Sequence, residues 1–93
     1  LLTIDIGNTN ISFGVFHDKE LINHWKVKSD RLKTSDEYGV LLRSLFGQSG
    51  LDRTNIRGII ISSVVPPLTP VFQKLCRNLF QPKPLIVGPG LKT

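Results

Sequence analysis

Apolar and polar residues alternate over the first 28 positions, which is the pattern of strands with one buried face. The alternation predicts a first strand over residues 2–6, with Asp5 at its C-terminal end. A second strand is predicted over residues 11–16 and a third over residues 21–28, with a polar turn between them. Three strands joined by such short connections form an antiparallel meander.

The apolar spacing then changes to that of a helix. Thr34 and Glu37 have the spacing of a capping box, which predicts Thr34 as the N-cap and Glu37 as the third helical residue. Apolar residues follow at intervals of three and four, so one helical face is expected to be buried. Gly47 or Gly50 is expected to end the helix.

A second strand-helix-strand unit completes the chain. Residues 58–64 form a short β-branched run, which predicts a buried central strand. Two prolines end that run, and Thr69 and Pro70 are predicted at the N-cap and first position of a second helix. A last strand is predicted over residues 84–87, with a turn at residues 88–90.

The predicted order is β-β-β-α-β-α-β, which indicates an α/β domain with a mixed sheet. Crossover connections through helices are right-handed, so the last two strands are expected to run parallel to the first. Neither an internal repeat nor a linker interrupts the 93 residues, and one small domain is expected.

The turn after the first strand has the chemistry of a phosphate site. Gly7 allows a tight turn and a close approach to a ligand, and successive N–H groups of such a turn can converge on phosphate oxygens. Hydroxyl and amide side chains at Asn8, Thr9 and Asn10 add donors. Asp5 can hold Mg²⁺, which binds through one or two carboxylates together with phosphates. The alternative is ordinary turn chemistry, with Asp5 accepting hydrogen bonds from its own turn.

Ser62 and Ser63 stand at the end of the fourth predicted strand. If that strand pairs with the first, both serines lie beside Asp5, at the edge of the sheet where ligands bind in open α/β folds. A substrate-side role for the two hydroxyls is one interpretation, and hydrogen bonding that ends the strand is the other.

Composition limits the partners. The formal net charge is +5, but the basic residues are scattered, and their closest group, Lys26, Lys28, Arg31 and Lys33, is interrupted by an aspartate. This spacing favours a solvated strand edge over a nucleic-acid surface. Cys76 is the single cysteine and is expected to be a buried thiol in a reducing cytoplasm. Neither a signal peptide nor a membrane-spanning run is predicted.

The whole chain resembles the type III pantothenate kinases. Four blocks in order carry the resemblance: Asp5-Ile6-Gly7-Asn8-Thr9-Asn10 with Gly14 after it, residues 34–38, residues 61–67 and residues 88–93. The first block by itself resembles the wider actin-like, ribonuclease H-like ATPase superfamily, and the other three blocks narrow the resemblance to the family.

The resemblance implies a fold and an activity. The fold is the ribonuclease H-like (actin-like ATPase) domain, present twice in a two-domain enzyme. The activity is phosphorylation of pantothenate by ATP, the first step to coenzyme A, in a cytoplasmic homodimer that uses Mg²⁺ and a monovalent cation, K⁺ or NH₄⁺. The family's phosphate loop corresponds to Asp5, Ile6, Gly7, Asn8, Thr9, Asn10, Ile11 and Ser12, with Asp5 near the metal.

The resemblance also implies which part is missing. The family's general base is an aspartate in a Gly-Ala-Asp-Arg block that would follow Thr93, so no catalytic residue is expected within residues 1–93. These residues are expected to form the N-terminal, ATP-phosphate-binding domain, and to be inactive alone. Two alternatives stay open: another actin-like phosphotransferase or ATPase, and a ribonuclease H-like nucleic-acid-binding module.

Overall fold

A computed structural model describes residues 1–88 as a five-stranded sheet with two α-helices. The elements are β1 (Leu2–Ile6), β2 (Asn10–His17), β3 (Glu20–Lys28), α1 (Ser35–Gln48), β4 (Ile59–Ser63), α2 (Thr69–Leu79) and β5 (Pro84–Val87). Short 3₁₀ turns at Arg53–Asn55 and Pro66–Leu68 precede β4 and α2. The predicted element order is confirmed, and the turn predicted at 88–90 lies largely outside the described residues.

The strands follow the order β3-β2-β1-β4-β5 across the sheet. The first three form the predicted antiparallel meander, while β4 pairs parallel to β1 and β5 parallel to β4. This arrangement places β1 at the centre, with its C-terminal end beside that of β4. The carboxyl ends of three parallel strands therefore meet at one edge of the sheet.

One face of the sheet forms the core with both helices. Leu2, Ile4 and Ile6 of β1 are at most 1% exposed and belong to one cluster with residues of both helices. Phe72 of α2 links these layers, because its ring lies 6.1 Å from that of Phe13 on β2 and 4.8 Å from that of Tyr38 on α1. The opposite face of the sheet, where Asp5 lies, is half-buried or exposed along β1.

The capping box of α1 is present as predicted. The Thr34 hydroxyl accepts a hydrogen bond from the N–H of Glu37 at 3.2 Å, and the Glu37 carboxylate accepts one from the N–H of Thr34 at 2.8 Å. The helix ends at Gln48, and Gly50 follows with a φ of +71°, the left-handed conformation that favours glycine.

The predicted N-cap of α2 is wrong. Thr69 is itself helical, with φ −58° and ψ −51°, and Leu68 occupies the N-cap position without a side-chain hydrogen bond. The reason is the 3₁₀ turn at Pro66–Leu68, which continues directly into the helix, so that the N–H of Thr69 donates to the Pro66 carbonyl. Backbone hydrogen bonding thus replaces a side-chain cap. Neither described helix is long and apolar enough to cross a membrane.

Candidate phosphate-binding site

Three polar residues form a row across the open face of the sheet. Asp5 is the register partner of Ser12 on β2 and of Ser62 on β4, so the three side chains project to the same side. Lys26 on β3 is in register with Ser12 and extends the row at the sheet edge. The row combines one carboxylate, two hydroxyls and one ammonium group near the carboxyl ends of the parallel strands.

The Asp5 carboxylate is exposed and free of protein partners. Within residues 1–88 it accepts no hydrogen bond and forms no ion pair. The alternative in which Asp5 caps its own turn therefore lacks the hydrogen bonds that it requires. A carboxylate in this state is available to a cation or to a ligand.

The β1–β2 turn (residues 7–10) is closed by its backbone. The N–H of Gly7 donates to the carbonyl of Asn10 at 2.9 Å. A Cβ atom added to Gly7 would lie 3.0 Å from that carbonyl oxygen, which is tighter than most real Cβ contacts. Within the described residues, positive φ values occur only at Asp18 and Gly50. Gly7 is thus required for close packing inside the turn and not for a left-handed conformation.

Ser29, which follows β3, binds the carbonyl groups of this turn. Its hydroxyl donates to the carbonyl of Gly7 at 2.6 Å, and its N–H donates to the carbonyl of Thr9 at 2.9 Å. Within residues 1–88 the N–H groups of Asn8 and Thr9 donate to no protein acceptor. The turn therefore exposes unpaired N–H groups while three of its carbonyls, those of Gly7, Thr9 and Asn10, accept hydrogen bonds, which favours an anion.

The segment that carries Ser29 is fixed to α1 by a buried tyrosine. The Tyr38 hydroxyl accepts from the N–H of Asp30 at 2.8 Å and donates to the carbonyl of Asp30 at 2.9 Å. Tyr38 is 1% exposed, and burial raises the pKa of its phenol. The Lys33 ammonium lies 5.6 Å from the centre of the ring. Residues 29–33 thus form a strap between the core and the turn, named here the Ser29 strap.

The sequence pattern did not indicate that the Ser29 strap contacts the β1–β2 turn. Lys26 and Lys28 are exposed on the edge strand β3, which agrees with the solvated-edge interpretation. Arg31, however, donates from Nη2 to Oδ1 of Asn8 at 3.3 Å, so one member of the basic group contacts the turn. The register of the β2–β3 hairpin could have indicated this contact, because the pairing of Lys28 with Asn10 brings residue 29 beside the turn.

The two serines at the end of β4 have different environments. The Ser63 hydroxyl accepts from the N–H of Val65 at 3.1 Å and lies 3.2 Å from its carbonyl, so it supports the chain as it leaves the strand. Ser62 is half-buried, stands beside Asp5 and makes no side-chain hydrogen bond within residues 1–88. Of the two hydroxyls, that of Ser62 is the one available to a ligand.

A single carboxylate limits the metal chemistry of the site. No group of three potential ligands among His, Cys, Asp and Glu occurs within residues 1–88. Asp5 with its hydroxyl neighbours fits an Mg²⁺ ion that takes most ligands from phosphates and water. Cys76 lies elsewhere, on the buried face of α2, so the predicted burial of its thiol is confirmed, and that burial raises the pKa of the thiol to about 12.

The turn lies on an open edge and not inside a cavity. Two clefts within residues 1–88 have volumes near 450 and 500 Å³, and both are lined by residues outside the turn, such as Arg43 and Arg57. Neither of these two clefts includes Asp5 or a residue of the β1–β2 turn.

Known proteins resemble this chain in both sequence and fold. A model of the type III pantothenate kinase family matches residues 1–93. The type III pantothenate kinase of Brevibacillus brevis is 55% identical over 93 residues, and that of Geobacter sulfurreducens is 50% identical over 93 residues. Both alignments cover 100% of this chain and 36% of the relative, so the chain spans about a third of their length.

A solved structure with low sequence identity shares the fold. The crystal structure of a candidate N-acetylglucosamine kinase from Porphyromonas gingivalis matches 95% of this chain and 33% of that protein, with a TM-score of 0.67 and 15% identity. The mixed sheet and its order are those of the actin-like ATPase fold, as expected. With the family match over all 93 residues and relatives at 50–55% identity, the chain belongs to the type III pantothenate kinase family.

Proposed function

We propose that residues 1–93 form the N-terminal, ATP-phosphate-binding domain of a pantothenate kinase, which phosphorylates pantothenate in the first step of coenzyme A synthesis. Membership of the family supports the activity. The single observation that carries the role of this domain is the β1–β2 turn, whose free N–H groups lie next to the exposed Asp5 carboxylate. Such an edge binds the phosphates of a nucleotide together with a cation.

The polar residues of the loop each have a role in this proposal. The N–H groups of Asn8 and Thr9 donate to phosphate oxygens, and the side chains of Asn10 and Ser12 add donors. Asp5 would hold Mg²⁺, which neutralises the charge that develops on the transferred phosphoryl group. The side chains of Ile6 and Ile11 are fully buried and fix the two strand ends, so any contact of these residues with phosphate is made by their backbone groups.

The remaining parts of the proposal rest on the family. A monovalent cation, K⁺ or NH₄⁺, the homodimer, the cytoplasmic location and the general base beyond Thr93 belong to the enzyme of which we propose this to be a domain. The open face of the sheet supports this division, because Asp5 and its hydroxyl neighbours lie there while no group of three potential metal ligands occurs within residues 1–88. Ser62 is proposed to face the substrate and Ser63 to support the strand end.

The test is removal of the negative charge of Asp5 in the proposed full-length enzyme. Asp5→Asn is expected to lower pantothenate-dependent ADP release by at least about a hundredfold, because a metal ion contributes several kcal/mol to such transition states. The melting temperature should stay unchanged, since the carboxylate has no protein partner within residues 1–88. Asp18→Asn is the matched control, because Asp18 is exposed in the β2–β3 turn at the opposite end of β2.

Two results would contradict the proposal. Full turnover by Asp5→Asn would remove the metal role of Asp5. Absence of pantothenate-dependent ADP release from the unmodified enzyme, with another phosphate acceptor used instead, would favour a different actin-like phosphotransferase.

A further inference from the structure

We propose that Arg31 is a polyphosphate-binding residue, whose guanidinium group contacts the phosphates of the nucleotide held at the β1–β2 turn. The inference rests on the proposed function and adds to it a residue that lies outside the loop of residues 5–12. Its basis is the contact from Arg31 Nη2 to Asn8 Oδ1, at 3.3 Å, across 23 residues of sequence.

The position of Arg31 is fixed on both sides by hydrogen bonds. Ser29 binds two carbonyls of the turn, and Asp30 is held through its N–H and carbonyl by the buried Tyr38 hydroxyl. The Asp30 carboxylate accepts from the N–H of Leu32 at 2.9 Å, and its carbonyl accepts from the N–H of Lys33 at 3.2 Å. The backbone of Arg31 is therefore held between two anchored neighbours, and its side chain reaches the tip of the turn.

The charge of Arg31 is not neutralised by the protein. The ion pair recorded within residues 1–88 is His17 with Asp18, so no described carboxylate lies within 4.0 Å of the Arg31 guanidinium. Asp30, its nearest acidic neighbour in sequence, uses a carboxylate oxygen for the N–H of Leu32. Arg31 is exposed, and a guanidinium group has five N–H donors, of which the Asn8 amide oxygen takes one.

A polyphosphate supplies the acceptors that such a group prefers. Guanidinium binds two phosphate oxygens at once in a planar fork, and these charge-assisted bonds are stronger than neutral ones. The β1–β2 turn carries Asp5 on one side, which repels phosphate until a cation neutralises it. The guanidinium group of Arg31, which belongs to the Ser29 strap, contacts Asn8 of the turn and brings a positive charge there. The free N–H groups of Asn8 and Thr9 and the guanidinium group thus surround one anion-binding surface.

The experiment compares ligands that differ in their phosphates, in the full-length enzyme. Arg31→Gln is expected to raise the Kd and the KM for ATP roughly ten- to a hundredfold, the effect of losing a charge-assisted contact. The Kd for adenosine and the KM for pantothenate should stay within about twofold, because the contact is made to phosphate. Arg31→Lys should recover part of the loss, since it keeps the charge without the fork.

Arg57→Gln is the matched control. Arg57 is also exposed, but it precedes β4 and therefore lies near the amino ends of the parallel strands, whereas the turn lies at their carboxyl ends. It should leave the affinity for ATP unchanged, which separates a local contact from the general loss of one positive charge.

The inference would be overturned by an unchanged Kd for ATP in Arg31→Gln, or by equal losses for ATP and adenosine, which would indicate a disrupted turn. An equal effect of Arg57→Gln would overturn it as well. The proposed function is judged separately by pantothenate-dependent turnover of the unmodified enzyme. If the unmodified enzyme phosphorylates pantothenate and Arg31→Gln leaves the Kd for ATP unchanged, this inference is refuted while the proposed function is supported.

Discussion

At the residue scale, the two serines at the end of β4 separate stability from activity. Ser63 makes hydrogen bonds with the backbone of Val65, so Ser63→Ala is expected to lower the free energy of unfolding by about 1 kcal/mol. Ser62 stands beside Asp5 without a side-chain partner among residues 1–88, so Ser62→Ala should leave stability unchanged.

The kinetic effects should be reversed. Ser62→Ala is expected to lower turnover about fivefold, the equivalent of one hydrogen bond of ~1 kcal/mol. Urea unfolding and steady-state turnover of both variants would be measured side by side. Loss of activity in Ser63→Ala with an unaffected Ser62→Ala would show that the two hydroxyls are assigned the wrong way round.

The β1–β2 turn shows what residue types predict and what they leave open. Gly7 was predicted to allow a tight turn, and it does, but through the close approach of the Asn10 carbonyl. The contribution of Ser29 could not be read from its own neighbourhood, since its partners lie 20 and 22 residues earlier in the chain. Contacts of this kind depend on strand register, which the sequence specifies only through the paired pattern of two strands.

At the element scale, α1 depends on its capping box. Thr34→Ala removes the oxygen that accepts from the N–H of Glu37, and it is expected to lower the free energy of unfolding by about 1 kcal/mol. Thr34→Ser keeps that oxygen and should retain most of the stability. Chemical unfolding of both variants tests the prediction, and equal losses in Ala and Ser would mean that the methyl group of Thr34 and not its hydroxyl stabilises the helix.

Elements with strong local signals were predicted well. Alternation identified the meander, a capping box identified the start of α1, and a β-branched run identified β4. The start of α2 was predicted wrongly, because Thr69 and Pro70 also fit an N-cap motif when the preceding 3₁₀ turn is not known. The choice between an N-cap at Thr69 and a 3₁₀ turn before it depends on the packing of Leu68, because that residue is 0% exposed. Burial of this kind is a tertiary effect that local propensity does not contain.

At the scale of the whole molecule, the described residues form a sheet with one face covered by helices and one face open. Both helices pack on one face of the sheet, while Asp5 and its row lie on the open face. Phosphoryl transfer also needs a group that orients or deprotonates the acceptor hydroxyl. Among residues 1–88 no group of three potential metal ligands among His, Cys, Asp and Glu occurs.

Residues 1–93 alone are therefore predicted not to phosphorylate pantothenate. Purified 1–93 and the full-length enzyme would be assayed for ADP release with pantothenate, Mg²⁺ and K⁺. Turnover of the short chain within about tenfold of the full-length rate would contradict the need for positioning groups outside these residues.

The sequence alone indicated the fold class and the family, because each of the four blocks that resemble the family is a continuous stretch of residues. It indicated the position of the site through one rule, that ligands bind at the carboxyl ends of parallel strands. The row of Lys26, Ser12, Asp5 and Ser62 follows from strand pairing across the sheet, and its members lie between positions 5 and 62 of the sequence. The Ser29 strap required the three-dimensional structure, since no local motif marks it.

The central claim is that the free N–H groups of the β1–β2 turn bind the phosphates of Mg²⁺-ATP. Its most direct test is amide NMR of the ¹⁵N-labelled full-length enzyme during titration with Mg²⁺-ATP and, separately, with adenosine. We expect downfield shifts of the Asn8 and Thr9 amides with Mg²⁺-ATP and no such shifts with adenosine. Unmoved Asn8 and Thr9 amides at saturating Mg²⁺-ATP would contradict it.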